Sequence, residues 1–182
     1  MTSSDNAYAP RKLEASEYSC AVKYGQIISI DLLFINNNDE VLVGKRNNNP
    51  AKGDLFTLGG RVYKHEDFQN AIERIAKTEL YPFDHPNRPT PTIHGIYKHF
   101  YDNNFEDNNE YSTEYINFAY VINIDDYYSK DTNEKICKLH IINDDDQHSR
   151  FAWIPIQSIH SNTQVHPFVK CYFHPNPWNK IT

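Results

Sequence analysis

The stretch GGRVYKHEDFQNAIERIAKTEL, Gly59 to Leu80, decides the fold. A double glycine and an arginine lead into a segment of helical periodicity, His65 to Leu80, which Tyr81-Pro82 must end. With Phe68 at zero and about 100° per residue, Ile72 falls at roughly 40°, Ile75 at roughly 340°, Ala76 at roughly 80° and Glu79 at roughly 20°. Glu79 therefore sits in the middle of the apolar stripe, where an ionised carboxylate is costly unless paired or metal-bound. Two readings stay open: a frayed helix end whose acid reaches water or an arginine, or a ligand. Glu66, Glu73 and Lys77 fall on the opposite, solvated side, and Arg74 on a flank. A double glycine lets the backbone approach a ligand and offers carbonyl oxygens to a hard cation. Arg61 follows directly and can grip phosphate. Carboxylate, glycine carbonyl and arginine together suggest a magnesium–diphosphate site.

Outward from this segment the chain alternates strands and loops. QIISIDLLFI (Gln26–Ile35) reads as a buried strand, NNND as a turn and EVLVGKR as its hairpin partner. LFTLGGRV (Leu55–Val62) reads as a short strand broken at Gly59-Gly60. TIHGIYKHFY, TEYINFAYVINI and FAWIPI supply three more strands. Strands on both sides of one strong helix predict a mixed α/β domain. Residues 1–24 are expected as a loose arm, 25–174 as the domain and 175–182 as a tail.

Composition narrows the function. The 182 residues suit one domain, and the net charge of −6 argues against a nucleic-acid partner. A phosphorylated substrate then needs local cations or a metal. Cys20, Cys137 and Cys171 form no CxxC pair, so neither a disulfide framework nor a zinc site is indicated. No apolar run reaches membrane-span or signal-peptide length, so a cytoplasmic protein without a membrane partner is expected.

The same segment resembles a Nudix box, whose usual form is G-x5-E-x7-R-E-U-x-E-E-x-G-U. Gly60, Glu66 and Arg74 fall in register, and Glu79 takes the last glutamate slot. Ile75 and Thr78 stand in the other two, and Tyr81 replaces a glycine. That loss, with LVGKRNNNPAKGDLFTLGGRV, YKHFYDNNF, DDDQHSRFAW and VHPFVKCYF in this order, is similar to the GDP-mannose mannosyl hydrolase branch of the Nudix family. The resemblance spans roughly Gly25 to Phe173. It implies a Nudix fold, a mixed β-sheet sandwiched between helices (α/β/α), in a homodimer.

The resemblance also implies a chemistry. With Ile75 and Thr78 in place, the carboxylate cluster that holds several metals for attack at phosphorus cannot assemble, whereas one metal can still bind at Glu79. Substitution at an anomeric carbon passes through an oxocarbenium-like transition state and needs chiefly a base and a stabilised leaving group. The expected reaction is hydrolysis of GDP-mannose, or GDP-glucose, to GDP and free sugar with inversion. One Mg2+, replaceable by Mn2+, would be held by the Gly59 carbonyl, Glu79 and Gln147. His148 would be the base, taken from nine histidines, and would otherwise read as an ordinary loop residue. Arg46 and Arg61 would hold the diphosphate, and His99 would assist its departure as a charged partner. Asp31 and Tyr115 would bind sugar or stabilise charge. On residue type alone Asp31 reads equally as an edge-facing residue of an alternating strand, and Tyr115 as a packed sheet aromatic. A conventional pyrophosphatase using Glu110, Glu114 or Asp144–Asp146, and a non-catalytic nucleotide-sugar binder, remain alternatives.

Overall fold

The computed structural model describes residues 9–81, 90–124, 140–141 and 147–174. In chain order these form α1 (Ala15–Tyr24), β1 (Ile27–Ile35), β2 (Glu40–Arg46), β3 (Leu55–Phe56), β4 (Leu58–Arg61), α2 (Phe68–Glu79) and β5 (Leu80–Tyr81). They continue with β6 (Thr92–Tyr101), β7 (Thr113–Asn123), β8 (His140–Ile141), β9 (His148–Pro155), a short 3-10 turn and α3 (Pro167–Tyr172).

The apolar run of β1 places it at the centre of a seven-stranded mixed sheet. β7 lies parallel along one edge, from Ile27↔Tyr115 to Ile35↔Asn123. The other edge is shared: β4 pairs antiparallel with Ser29 to Leu32, while β2 meets β1 only at Ile35↔Val41. β2 therefore forks away from β4, carrying β3 and β9 with it. Side chains alternate across β1. Ile30, Leu32 and Phe34 pack with Ala71, Ile72, Ile75 and Ala76 of α2. Leu33 faces the other way, in a cluster with Tyr97, Ala119 and Tyr172 of α3. Helices flank both faces of the sheet, as the α/β/α expectation requires.

Several local expectations change. The break in 55–62 falls at Thr57, not at the glycines, which lie inside β4. The buried Thr57 marks the switch from pairing with β2 to pairing with β1. The long helix starts at Phe68, not His65: His65 has φ 64°, and Asp67 Oδ1 accepts from the Asn70 amide at 2.8 Å. Glu66 thus precedes the helix, and the angular argument that put it on the solvated face does not apply. Its side chain is only 4% exposed and accepts Arg74 Nε at 2.7 Å and Nη2 at 2.8 Å. Nor is the arm loose throughout, because α1 forms with a Glu14/Glu17 capping box. No helix among the described residues is long and apolar enough to cross a membrane.

Candidate active site

The fork between β2 and β4 opens a cleft of about 520 Å³. Seven of the nine expected site residues line it: Asp31, Arg46, Gly59, Arg61, His99, Tyr115 and Gln147. Its charge is opposite to that of the chain. Lys12, Arg46, Arg61 and Arg74 stand around it, and Asp31 is the one acidic residue among the described lining residues. These are the local cations that a phosphorylated ligand needs on a protein of net charge −6.

Asp31 is buried at 7% exposure in the central strand, so it is not an edge residue. Its Oδ2 accepts hydrogen bonds from Thr57 Oγ1 at 3.2 Å and from the Tyr172 hydroxyl. That hydroxyl accepts in turn from Asn117 Nδ2 at 2.8 Å and lies 3.3 Å from His99 Nε2. The contact joins the His99 imidazole to the same buried network. Burial pushes the Asp31 carboxyl up to about 6, against the lowering effect of Tyr172, Thr57 and Arg46.

Burial acts on His99 in the other direction, pushing it down to about 3, with nearby His166 adding to the shift. Its ring lies flat on Phe168, 4.3 Å between centroids. Burial therefore favours the neutral imidazole of His99, against the expectation of a charged phosphate partner. Across the β6–β7 ladder it pairs with Tyr115, whose hydroxyl burial holds well above the ordinary tyrosine range. Tyr115 is neutral at the cleft wall.

Arg46 ends β2, just past a register irregularity against β9. Its Nη1 donates to Gln147 Oε1 at 3.3 Å, and its buried Nε has no hydrogen-bond partner among the described residues. A buried donor of this kind on a cleft wall suits an anion. Arg61 ends β4, with its guanidinium carbon 3.7 Å from the Tyr18 ring centroid.

The domain family is decided by comparison. A model of the NUDIX domain matches residues 26–174. The chain belongs to the Nudix family. It is 31% identical over 118 residues to the low-salt glycan biosynthesis protein Agl8 of Haloferax volcanii, covering 63% of this chain and 70% of that one. Among solved structures, a MutT protein from Methanosarcina mazei superposes with a TM-score of 0.58 at 16% identity, over 81% of this chain and 90% of that one. The NUDIX domain of Shewanella oneidensis NrtR, complexed with ADP ribose, gives 0.52 at 15% identity, over 88% and 95%. At such identities the structures speak for the fold alone.

The Nudix helix α2 presents Arg74, Ile75 and Thr78 to the cleft. Neither Ile75 nor Thr78, in the two altered glutamate slots, brings a carboxylate there, and Thr78 Oγ1 is spent on the Arg74 carbonyl at 2.8 Å. The Glu79 side chain lies outside the described residues, as do Asp144–Asp146. No group of three or more His, Cys, Asp or Glu gathers as a metal site among the described residues. Of the expected metal ligands, all of them oxygen donors, Gly59 and Gln147 line the cleft. Hard oxygen donors with a single acid suit Mg2+. Gly59 is also forced sterically, since a Cβ there would lie 2.5 Å from Asp31 Oδ1 and 2.6 Å from the Ile30 carbonyl.

His148 is the main correction. It is the first residue of β9, paired with Arg46, not a loop residue. It is fully buried and does not line the cleft. Its ring occupies the space above Gly44, where a Cβ would lie 2.6 Å from His148 Cδ2.

The sequence reading missed Tyr172, Asn117, Thr57 and Tyr18. VHPFVKCYF carries Tyr172, but nothing in that segment marks its hydroxyl as a partner for an acid 141 residues away.

Proposed function

We propose that this Nudix protein hydrolyses a nucleoside diphosphate sugar, GDP-mannose or GDP-glucose, at the anomeric carbon, releasing GDP and free sugar with inversion. The observation that carries the reading is the pairing of Ile75 and Thr78 with a cationic cleft. Among the described residues the α2 wall offers no carboxylate cluster for attack at phosphorus, while Arg46 and Arg61 suit a diphosphate leaving group. The name of the Haloferax relative, a glycan biosynthesis protein, supports a sugar-nucleotide substrate.

A divalent ion held by Gly59, Glu79 and Gln147 would neutralise charge on the departing diphosphate. The chain's own groups do the rest. Arg46 and Arg61 bind the diphosphate and fix the anomeric carbon over the β1 floor. Asp31, held by Tyr172 and Thr57, stands on the cleft wall with its carboxyl near the neutral range. On the face away from the leaving group it takes the proton of the attacking water, and its charge accompanies the cationic carbon. The geometry favours Asp31 over His148 for this step, because Asp31 lines the cleft. Tyr115 and neutral His99 contribute hydrogen bonds at the same wall. Conventional pyrophosphatase chemistry is less well supported: Glu114 is engaged by Lys98 Nζ at 2.8 Å, and neither Glu110 nor Glu114 lines the cleft. We further propose a homodimer. β6 is an outer strand of the sheet and exposes Ile93, Ile96 and Phe100.

Turnover of GDP-mannose in oxygen-18 water tests the reaction. Attack at carbon puts the label in mannose and yields GDP; label in phosphate with release of GMP would sink the proposal.

A further inference from the structure

α1 lies outside the stretch that matches the family model, yet it reaches into the cleft. Tyr18, on its inner side, touches three separate elements of the cleft wall. Its ring lies under the Arg61 guanidinium of β4, packs 4.7 Å from Phe105 after β6, and its hydroxyl sits 3.5 Å from that of Tyr115 in β7. The segment is tied to the domain at two points, one before the helix and one in its middle. The Arg11 amide donates to the Lys64 carbonyl at 2.9 Å, and the Ser19 hydroxyl donates to Glu106.

We infer that Tyr18 is a positioning residue for Arg61, set over the site by α1 so that the guanidinium faces a diphosphate. With the guanidinium carbon over the ring, the contact uses the π-surface of Tyr18 and leaves N–H donors of Arg61 for an anion. One of them, Nη2, makes only a long 3.5 Å contact to the Leu13 carbonyl. Without the ring, a flexible arginine at the end of a short strand would lose rotamer freedom on binding, and affinity would fall by that ordering cost. The inference rests on the reading that the cleft holds a diphosphate.

The test is calorimetric binding of GDP and of inorganic pyrophosphate, each with Mg2+, to the full chain and its variants. Y18A and Y18L should weaken GDP binding about tenfold, and Y18F, which keeps the π-face, should stay within about twofold of wild type. Y18L keeps apolar bulk against Phe105, so a packing role alone would leave it at wild-type affinity; that result overturns the inference. Tighter binding by Y18A would also overturn it, because α1 would then obstruct the site. In an Arg61→Ala background the Tyr18 substitutions should add no further loss, and independent losses would count against the coupling. A wild type that binds neither probe overturns the diphosphate reading, and the Tyr18 role with it. A wild type that binds while Y18L is unaffected overturns the Tyr18 role alone.

Discussion

Asp31→Asn should separate the catalytic value of the carboxylate from its cost to the fold. The group is buried in the central strand, and burial raises it from 3.8 to about 6. At about 1.4 kcal/mol per unit, the folded state bears a penalty of about 3 kcal/mol once Asp31 is ionised. The sign follows from proton counts. Between the unfolded and folded values the native state holds more protons, so wild-type stability from this group is full at low pH and is lost as pH rises through about 6. Asparagine carries no charge, and the Thr57 hydroxyl can turn to suit its amide, at a cost of about 1 kcal/mol. The stability difference between Asp31→Asn and wild type should therefore shift in favour of the variant by about 2.5 kcal/mol between pH 4 and pH 8. At pH 8 the variant should be the more stable protein, while turnover falls by about 10²-fold or more. Urea denaturation at closely spaced pH values measures the first, and GDP release the second. A difference that stays flat with pH would refute the buried-carboxylate argument, and retained turnover would refute the base assignment.

Other expectations follow from neighbouring groups. Burial raises Glu66, but Arg74 and the Tyr63 amide outweigh it, so its carboxyl sits below the ordinary range. Its stabilisation is present above the unfolded value and lost as pH falls through the lower folded one. Glu66→Gln should thus cost about 1–3 kcal/mol at pH 7 in urea melts, with the gap closing in acid. His99, held down to about 3, should show no ring titration by NMR between pH 5 and 8 in the free protein; a midpoint near the ordinary histidine value would contradict its burial. Ile75 is 2% exposed, so Ile75→Glu should lower stability by about 2 kcal/mol or more instead of restoring a metal cluster, and mass spectrometry of the products should show no GMP. Chelation should abolish turnover, with Mg2+ or Mn2+ restoring it.

Much of the architecture was legible because its signals are local. β1 is buried on both faces and reads as an almost unbroken apolar run. The α2 stripe of Ile72, Ile75 and Ala76 meets β1 and β4 as its spacing predicts. Glu66 was misread because a helical angle was applied to a residue before the helix. His148 was misread because strand pairing with Arg46, which buries it, is a long-range contact.

The sequence by itself determined that a double glycine and Arg61 precede a helix in which Ile75 and Thr78 stand where the family's box carries glutamates. These are properties of residue type and spacing along one segment. Only the tertiary structure decided that Tyr172, Asn117 and Thr57 converge on Asp31, that His148 is buried against Gly44 of β2, and that α1 lays Tyr18 on Arg61. No local period encodes such partners. They are chosen where the β2–β4 fork and the packing of α1 and α3 bring distant segments together, and buried polar groups there must find one another or lose their hydrogen bonds.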